Sequence, residues 1–172
     1  GETIKVVKAD STCKDSSAAI DATEGIIAQG VKVIMGGICS EVTETILLES
    51  VIPNKIVMIS PAATSTSLTS LDDKGFFFRT TPSEARGGKI LADITKDRRI
   101  KKVAISYTNN DYGKDLAEAY KTAIESHGLE VTIIRSHEDN KDDYSSEVAT
   151  LASAGGEAIA IIGYSDKGGR GI

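Results

Sequence analysis

The chain has 172 residues, of which 40% are hydrophobic and 26% charged, as expected for one globular domain or two small lobes rather than a disordered or fibrous protein. Its formal net charge of -5 argues against a nucleic-acid interface, which needs a basic face. No apolar run approaches the roughly 20 residues of a membrane-spanning helix. No signal peptide is visible, so we expect a sequence that starts after any targeting segment or was cut from a longer one.

Short β-rich runs alternate with longer helical stretches along the first half of the chain. This pattern predicts strands at residues 4–9, 31–35 and 56–59 and helices at residues 15–29 and 40–50. Gly30 is predicted to end the first helix. The strand at residues 31–35 is almost continuously apolar, which is typical of a parallel strand covered on both faces.

The middle of the chain changes character. Residues 60–73 are rich in Ser, Thr and Ala and show no clear period, so we predict a long loop there. The extended run that follows, residues 75–79, holds all three phenylalanines. We place a boundary between two lobes at this run.

The alternation resumes in the second half. It predicts helices at residues 83–96, 111–127 and 144–154 and strands at residues 103–107, 131–135 and 158–163. Ser83 and Asp111 are the predicted N-caps of the first two helices. Strand–helix alternation of this kind indicates an α/β fold of three-layer α/β/α lobes with parallel sheets.

Ligands of open parallel sheets bind beyond the carboxyl ends of the strands. Polar groups follow four of the predicted strands at residues 36–40, 60–65, 108–113 and 163–166. Hydroxyls and helix amides suit a carboxylate, whereas carbonyls, hydroxyls and aromatic faces suit an ammonium group. Each of these four segments can also be explained without a ligand: Ser40 as an N-cap, residues 60–65 as a turn, and Tyr112 and Tyr164 as packing residues. From position alone we predict a binding cleft without a specified ligand.

The two cysteines follow the first two predicted strands, at Cys13 and Cys39. Neighbouring strands lie about 4.8 Å apart. Their ends would therefore bring the two side chains within reach of a disulfide. Two free buried thiols are the alternative. A disulfide would place the protein in an oxidising compartment.

Motifs of common α/β enzymes are absent. The chain contains neither G-x-G-x-x-G, nor G-x-x-x-x-G-K-[ST], nor G-x-S-x-G. His127 is predicted to end a helix, where it interacts with the helix dipole rather than serving as a base. We therefore predict no catalytic residue, no cofactor and no metal site.

Five motifs occur in order: Asp10-Ser11-Thr12-Cys13-Lys14-Asp15, Gly36-Gly37-Ile38-Cys39-Ser40, Ser60-Pro61-Ala62-Ala63-Thr64, Phe78-Arg79-Thr80 and Asp111-Tyr112-Gly113. Together they resemble the Leu/Ile/Val-binding proteins of branched-chain amino-acid ABC transporters, which have the type I periplasmic binding fold. The resemblance spans essentially the whole chain. It implies a truncated fragment of a two-lobed protein that closes by a hinge. Residues 1–79 would belong to the first lobe and residues 80–172 to the second, with a hinge crossing near residues 78–82.

The resemblance also implies a ligand-binding set: Ser40, Ala62, Ala63, Thr64, Tyr112 and Tyr164. In this set Ser40 and the amides after it hold the ligand carboxylate. The carbonyl of Ala62 and the hydroxyl of Thr64 hold the ammonium group. The two tyrosines close over the ligand from the second lobe. In the family, Cys13 and Cys39 correspond to a bridged pair.

The implied partners are a small, branched-chain amino acid and the membrane permease of an ABC transporter. The implied location is periplasmic or extracellular, either free or tethered as a lipoprotein. Three departures stand out: family members have a further strand–helix unit first, they supply an acidic partner for the ammonium from a later region, and they often have Gly where this chain has Glu41. The alternative function is a ligand-sensing receptor domain of the same fold, for amides, urea or another small polar ligand.

Overall fold

The computed structural model describes residues 3–165 and 168–172 and forms two compact units, which divide between Pro82 and Ser83. Within the described residues, each unit contains a three-stranded sheet in which all strands are parallel. Helices alternate with the strands along the chain. The predicted α/β class with parallel sheets is confirmed.

The first unit has the strand order β1-β2-β3. Its elements are α1 (Ser16–Ala28), β1 (Val33–Met35), α2 (Ser40–Ile46), β2 (Val57–Ser60), α3 (Ser67–Ser70) and β3 (Phe77–Arg79). One π-helical turn, Leu47–Val51, continues α2. Asp15 caps α1 by accepting a hydrogen bond from the amide of Ala18, and Gly30 follows the helix with a positive φ of 85°. Both ends of α1 therefore agree with the prediction.

The core of the first unit lies between the sheet and its helices. Leu47, Val51 and Met58 are completely buried there. Since side chains alternate along a strand, the inward position of Met58 also turns Ser60 inward, and Ser60 is completely buried at the carboxyl end of β2. This places a polar side chain directly beneath the loop that follows β2.

The predicted strand at residues 4–9 is wrong, because the structure has no strand there. A strand requires a neighbour that pairs with its N–H and C=O groups. The segment instead faces β1 across a cavity of about 790 Å³. Ile4 and Val6 are consequently 86% and 74% exposed.

Two further expectations for the first unit are corrected. β1 is not covered on both faces, since Val33 and Met35 are 57% and 84% exposed. The predicted loop at residues 60–73 contains the short helix α3, whose Leu68 is buried. A hydrogen bond from the Ser67 hydroxyl to the Glu44 carboxylate, 2.6 Å long, fixes the start of α3 against α2.

The disulfide between Cys13 and Cys39 is present, with 5.5 Å between the two Cα atoms. The predicted pairing is confirmed, although the segment before Cys13 is not a strand. Cys39 is the N-cap residue of α2, so the bridge ties the chain before α1 to the start of α2. The residue that follows the bridge is Ser40.

The second unit has the strand order β5-β4-β6, with β4 in the centre. Its elements are α4 (Glu84–Asp97), β4 (Lys102–Thr108), α5 (Asp111–Ser126), β5 (Glu130–His137), α6 (Ser145–Ser153) and β6 (Ala158–Ile162). The predicted cap of α5 is wrong by one residue. Asn110 has the extended backbone of an N-cap and accepts a hydrogen bond from the amide of Gly113, whereas Asp111 is already helical.

The helices α4 and α5 approach each other closely at Gly88. A Cβ atom on Gly88 would lie 2.5 Å from the backbone nitrogen of Tyr120 and 2.6 Å from the carbonyl carbon of Ala119. Such a contact requires the backbone of α5 to move. The neighbouring Gly87 is different, because its nearest neighbour would be the side chain of Leu116 at an ordinary 3.4 Å.

We therefore expect opposite effects from two adjacent substitutions in α4. Gly88→Ala should destabilise the second unit by about 1 to 3 kcal/mol through overpacking. Gly87→Ala should be neutral or stabilise it by up to about 1 kcal/mol, because alanine is the better helix former. All five tyrosines lie beyond Pro82 and the chain has no Trp, so tyrosine fluorescence in urea reports on the second unit. Equal effects of the two substitutions would contradict this packing.

Candidate functional site

The loops after β1 and β2 are joined by the hydroxyl of Ser60. This hydroxyl donates to the carbonyl of Gly37 over 2.6 Å and accepts from the amides of Ala62 and Ala63 over 3.3 and 2.9 Å. Gly37 must be a glycine, because a Cβ there would lie 2.1 Å from the hydroxyl oxygen of Thr43. The carboxyl ends of two neighbouring strands are thereby fixed to each other.

A second hydroxyl, that of Ser40, holds the other end of the same loop. The amides of Thr64 and Ser65 donate to the Ser40 hydroxyl oxygen over 3.2 and 3.1 Å. A serine hydroxyl has two acceptor lone pairs and one proton to donate. With both lone pairs engaged, the chemistry left to Ser40 is the donation of its proton.

Arg79, the last residue of β3, holds the loop from the third strand. Its guanidinium donates to the carbonyls of Ala63 and Ser65 over 3.3 and 2.8 Å. Sequence reasoning placed Arg79 only in a hinge motif and missed this role. Its position at the carboxyl end of a predicted strand was the signal that could have indicated it.

Two polar groups of the loop at residues 62–65 are not used by these hydrogen bonds. The carbonyl of Ala62 and the hydroxyl of Thr64 form no hydrogen bond with the described residues, and Ala62 is exposed. Ala63 is completely buried, and its amide and carbonyl are both bonded, so it contributes to the shape of the loop. Glu41, beside Ser40, is exposed to solvent.

The corresponding edge of the second unit carries the two predicted tyrosines. Tyr112 lies in the first turn of α5, after β4, and Tyr164 follows the neighbouring strand β6. Their rings stack with 5.5 Å between centroids and 29° between planes. The side chain of Asn110, the cap of α5, forms a hydrogen bond with Tyr164.

Both tyrosines have a raised pKa. For Tyr112 the main cause is burial, followed by the negative charge of Glu84 and by Tyr164. For Tyr164 burial is again the main cause of the raised pKa, the hydrogen bond with Asn110 opposes it, and Asp139 and Glu84 add to it. Both phenols are therefore neutral at physiological pH.

His137 ends β5 at the same edge and is 2% exposed. Its Nδ1 lies 2.8 Å from the Ser106 hydroxyl, and its buried Nε2 has no hydrogen-bond partner among the described residues. Burial lowers the pKa of His137, while the carboxylates of Asp139, Glu147 and Glu138 partly oppose this. The sequence pattern contained no signal for this buried imidazole.

The structure thus brings the predicted residues together within each unit. Ser40 meets the loop at residues 62–65 in the first unit, and Tyr112 meets Tyr164 in the second. Asp166, part of the fourth predicted polar group, lies outside the described residues.

The described residues contain neither a metal-binding cluster nor a membrane-spanning helix. Among residues 3–165 and 168–172, no group of three or more His, Cys, Asp or Glu side chains is placed to bind a metal ion. In the part of the chain that the structure describes, no helix combines the length and apolar character needed to cross a membrane.

Comparison with known sequences gives one family. A profile of the family described as the receptor family ligand binding region matches residues 1–169. A Leu/Ile/Val-binding protein homolog 3 from Brucella melitensis is 29% identical over 165 residues, which are 95% of this chain and 44% of that protein. A leucine-, isoleucine-, valine-, threonine- and alanine-binding protein from Pseudomonas aeruginosa is 27% identical over 169 residues, 95% of this chain and 43% of that protein. The chain spans less than half the length of these curated relatives, which are binding proteins and not enzymes.

Solved structures show the same fold. A leucine-binding protein from Thermotoga maritima has a TM-score of 0.79 at 23% identity, over 88% of this chain and 43% of that one. A solute-binding protein of an ABC transporter from Rhodopseudomonas palustris, in complex with p-hydroxybenzoic acid, has a TM-score of 0.77 at 19% identity, over 90% of this chain and 40% of that one. A substrate-binding protein of an ABC transporter from Desulfitobacterium hafniense, in complex with Leu, has a TM-score of 0.71 at 22% identity, over 91% of this chain and 47% of that one.

The lowered pKa of His137 predicts how stability depends on pH. An unfolded histidine titrates near 6.5, so below about this pH the unfolded chain binds more protons than the folded protein. The stabilisation is therefore present above about pH 6.5 and is lost as the pH falls toward the lower pKa of the folded state. Between pH 7.5 and 5, urea unfolding followed by tyrosine fluorescence should show this loss.

The matched controls use the two histidines of the chain. His137→Asn should remove the pH dependence in this range, whereas His127→Asn should retain it. An unchanged pH dependence in the His137 variant would contradict the assignment.

Proposed function

We propose, because this chain belongs to the receptor family ligand-binding region and has the type I periplasmic binding fold, that it is part of a solute-binding protein of an ABC transporter that captures a small, branched-chain amino acid. The observation that carries the proposal is the interlocked edge of the first unit. There two hydrogen bonds join Ser40 to the loop at residues 62–65. The Ser40 proton, the Ala62 carbonyl and the Thr64 hydroxyl would remain available to a ligand.

The first unit supplies groups of both polarities. Because the Ser40 hydroxyl accepts from two amides, its proton would remain to donate to the ligand carboxylate. The carbonyl of Ala62 and the hydroxyl of Thr64 would accept from the ligand ammonium group. A zwitterion matches this set of one donor and two acceptors better than a ligand of one charge does.

The loop is also preorganised. Ser60, Ser40 and Arg79 fix it through six hydrogen bonds to its amides and carbonyls. A loop that is already ordered loses little conformational entropy when ligand binds, which favours affinity. Ala63 takes part in this fixed shape and would not touch the ligand with its side chain.

The second unit would contribute the two stacked tyrosines. Aromatic rings offer a large contact area, and their faces attract a cation. We assign residues 1–79 to the first lobe and residues 80–172 to the second, joined by a hinge near residues 78–82. Closure by this hinge would bring Tyr112 and Tyr164 over the ligand.

The proposed setting is outside the cytoplasmic membrane. The disulfide between Cys13 and Cys39 supports an oxidising compartment, which agrees with a periplasmic or extracellular protein that is free or tethered as a lipoprotein. The proposed macromolecular partner is the membrane permease of the transporter.

The proposal predicts a specific role for the Thr64 hydroxyl. In calorimetric titrations with L-leucine, Thr64→Ala should weaken binding by about 1 to 3 kcal/mol, because a buried ammonium group loses an acceptor. Thr64→Ser keeps the hydroxyl and should retain most of the affinity.

The ligand panel of the same experiment includes sugars, urea and acetamide. Binding of urea or acetamide in place of amino acids would favour the sensing receptor domain instead. Equal affinity of the alanine and serine variants for L-leucine would remove Thr64 from the site.

A further inference from the structure

His137 is a buried titratable residue that the proposed binding function does not use. It is 2% exposed, and its backbone lies in the sheet opposite Thr108 of β4. Its Nδ1 lies 2.8 Å from the hydroxyl of Ser106, which is two residues before Thr108 and therefore on the same face of the strand. Its Nε2 is also buried and has no hydrogen-bond partner among the described residues. One nitrogen of the imidazole is thus held by the sheet, whereas the other is a polar atom without a partner.

The unpartnered nitrogen lies against the segment that carries Tyr164. A Cβ on Gly163 would lie 3.1 Å from Nε2 and 3.4 Å from Cε1 of His137. The same Cβ would lie 3.5 Å from the Cβ of Thr108. Strand β6 ends at Ile162, so Gly163 is the first residue after it, and the next residue is Tyr164, which stacks on Tyr112. The imidazole therefore supports the backbone from which the Tyr164 ring extends.

The charged groups that act on His137 are three carboxylates: Asp139, Glu147 and Glu138. Two of them already have partners, because Asp139 accepts from the Thr108 hydroxyl over 2.8 Å and Glu147 is paired with Lys141. The ring of Tyr144 meets the imidazole edge-on, with 6.4 Å between centroids. The contacts from β4 and from Gly163 are uncharged. Burial lowers the pKa of His137 more than the carboxylates raise it, so the neutral imidazole is the form that this environment favours.

Protonation of His137 would give the ring a second donor. An imidazolium has an N–H on both nitrogens. The Ser106 hydroxyl can accept from Nδ1, but the N–H at Nε2 would be buried against Gly163 with no acceptor among the described residues. A buried charge without a partner is unfavourable, so the protein would relieve it by opening the contact to water. Because β4 and β5 are fixed by their pairing, the segment after β6 is the side of the contact that can move.

We propose that His137 is a positioning residue for Tyr164 and makes ligand capture depend on pH, since the neutral imidazole holds the segment after β6 in place and the protonated imidazole releases it. The inference rests on the proposed function and concerns the regulation of the same site. Ligand should bind more tightly to the protein with neutral His137. By linkage, the ligand must then lower the pKa of His137 by the corresponding amount.

The first test measures the affinity for L-leucine by calorimetry between pH 7.5 and pH 4.5. L-leucine remains a zwitterion throughout this range, so its own ionisation does not contribute. In the wild-type protein the affinity should be constant above about pH 6.5 and should fall by about threefold or more at the lower end, as the fraction of neutral His137 falls.

Two histidine variants separate this effect from other titrations. His137→Asn cannot titrate and is too short to reach Gly163. It should bind L-leucine more weakly than the wild type at pH 7.5, and its affinity should not show the fall attributed to the imidazole. His127→Asn changes the residue that follows α5, at the opposite end of that helix from Tyr112, and should retain the pH dependence of the wild type.

The second measurement uses the wild-type protein alone. Nuclear magnetic resonance signals of the imidazole rings follow the titration of each of the two histidines. Saturating L-leucine should move the titration of His137 to lower pH and leave that of His127 unchanged. In the protein without ligand, the ring signals of Tyr164 should follow the same titration curve as those of His137.

The outcomes separate the two proposals. A protein that binds L-leucine at pH 7.5 with an affinity that stays constant while His137 titrates overturns the inference and leaves the proposed function standing. A protein that binds no amino acid at pH 7.5 overturns both. A weaker His137→Asn variant that keeps the pH dependence of the wild type would show a purely structural role and also overturn the inference. Should this variant fail to fold, the wild-type titrations decide, because a His137 titration that saturating L-leucine does not shift contradicts the inference.

Discussion

Parallel pairing of the strands is the constraint on which the site depends. In each unit it places the carboxyl ends of three strands along one edge of a sheet. In the first unit, Ser60, Arg79 and the segment after β1 therefore meet the same loop, and its polar backbone is satisfied by hydroxyls and a guanidinium. In the second unit the same geometry brings Tyr112 beside Tyr164.

The serine-rich character of the first unit follows from this arrangement. A buried loop end has amides and carbonyls that must be bonded, and each unmet group would cost about 1 to 3 kcal/mol. Ser40 and Ser60 together accept from four amides, and Ser60 also donates to a carbonyl. Since the loop satisfies itself in this way, its remaining donors and acceptors are available to a ligand at a fixed geometry, which is what a binding protein needs.

The sequence predicted the elements that depend on local signals. Helix α1, with Asp15 before it and Gly30 after it, has strong caps, and the apolar runs of β2 and β4 are buried as expected.

The segment at residues 4–9 was assigned wrongly because its pattern is that of a strand, whereas strand formation depends on a partner at a distance in the chain. Asn110 and Asp111 are chemically similar caps, so only the backbone geometry distinguishes them. The predicted site residues lie at the expected edges, but the roles of Arg79 and His137 depend on side-chain contacts between distant segments, which no local pattern encodes.

The most direct test of the account is a nuclear magnetic resonance titration of the isotope-labelled protein with L-leucine. The amide signals of Thr64 and Ser65 and the ring signals of Tyr112 and Tyr164 should shift along one common saturation curve. The amide signals of Val57 and Lys102, at the amino ends of β2 and β4, should stay in place. Shifts concentrated at the amino ends of the strands, or confined to one of the two units, would contradict the account.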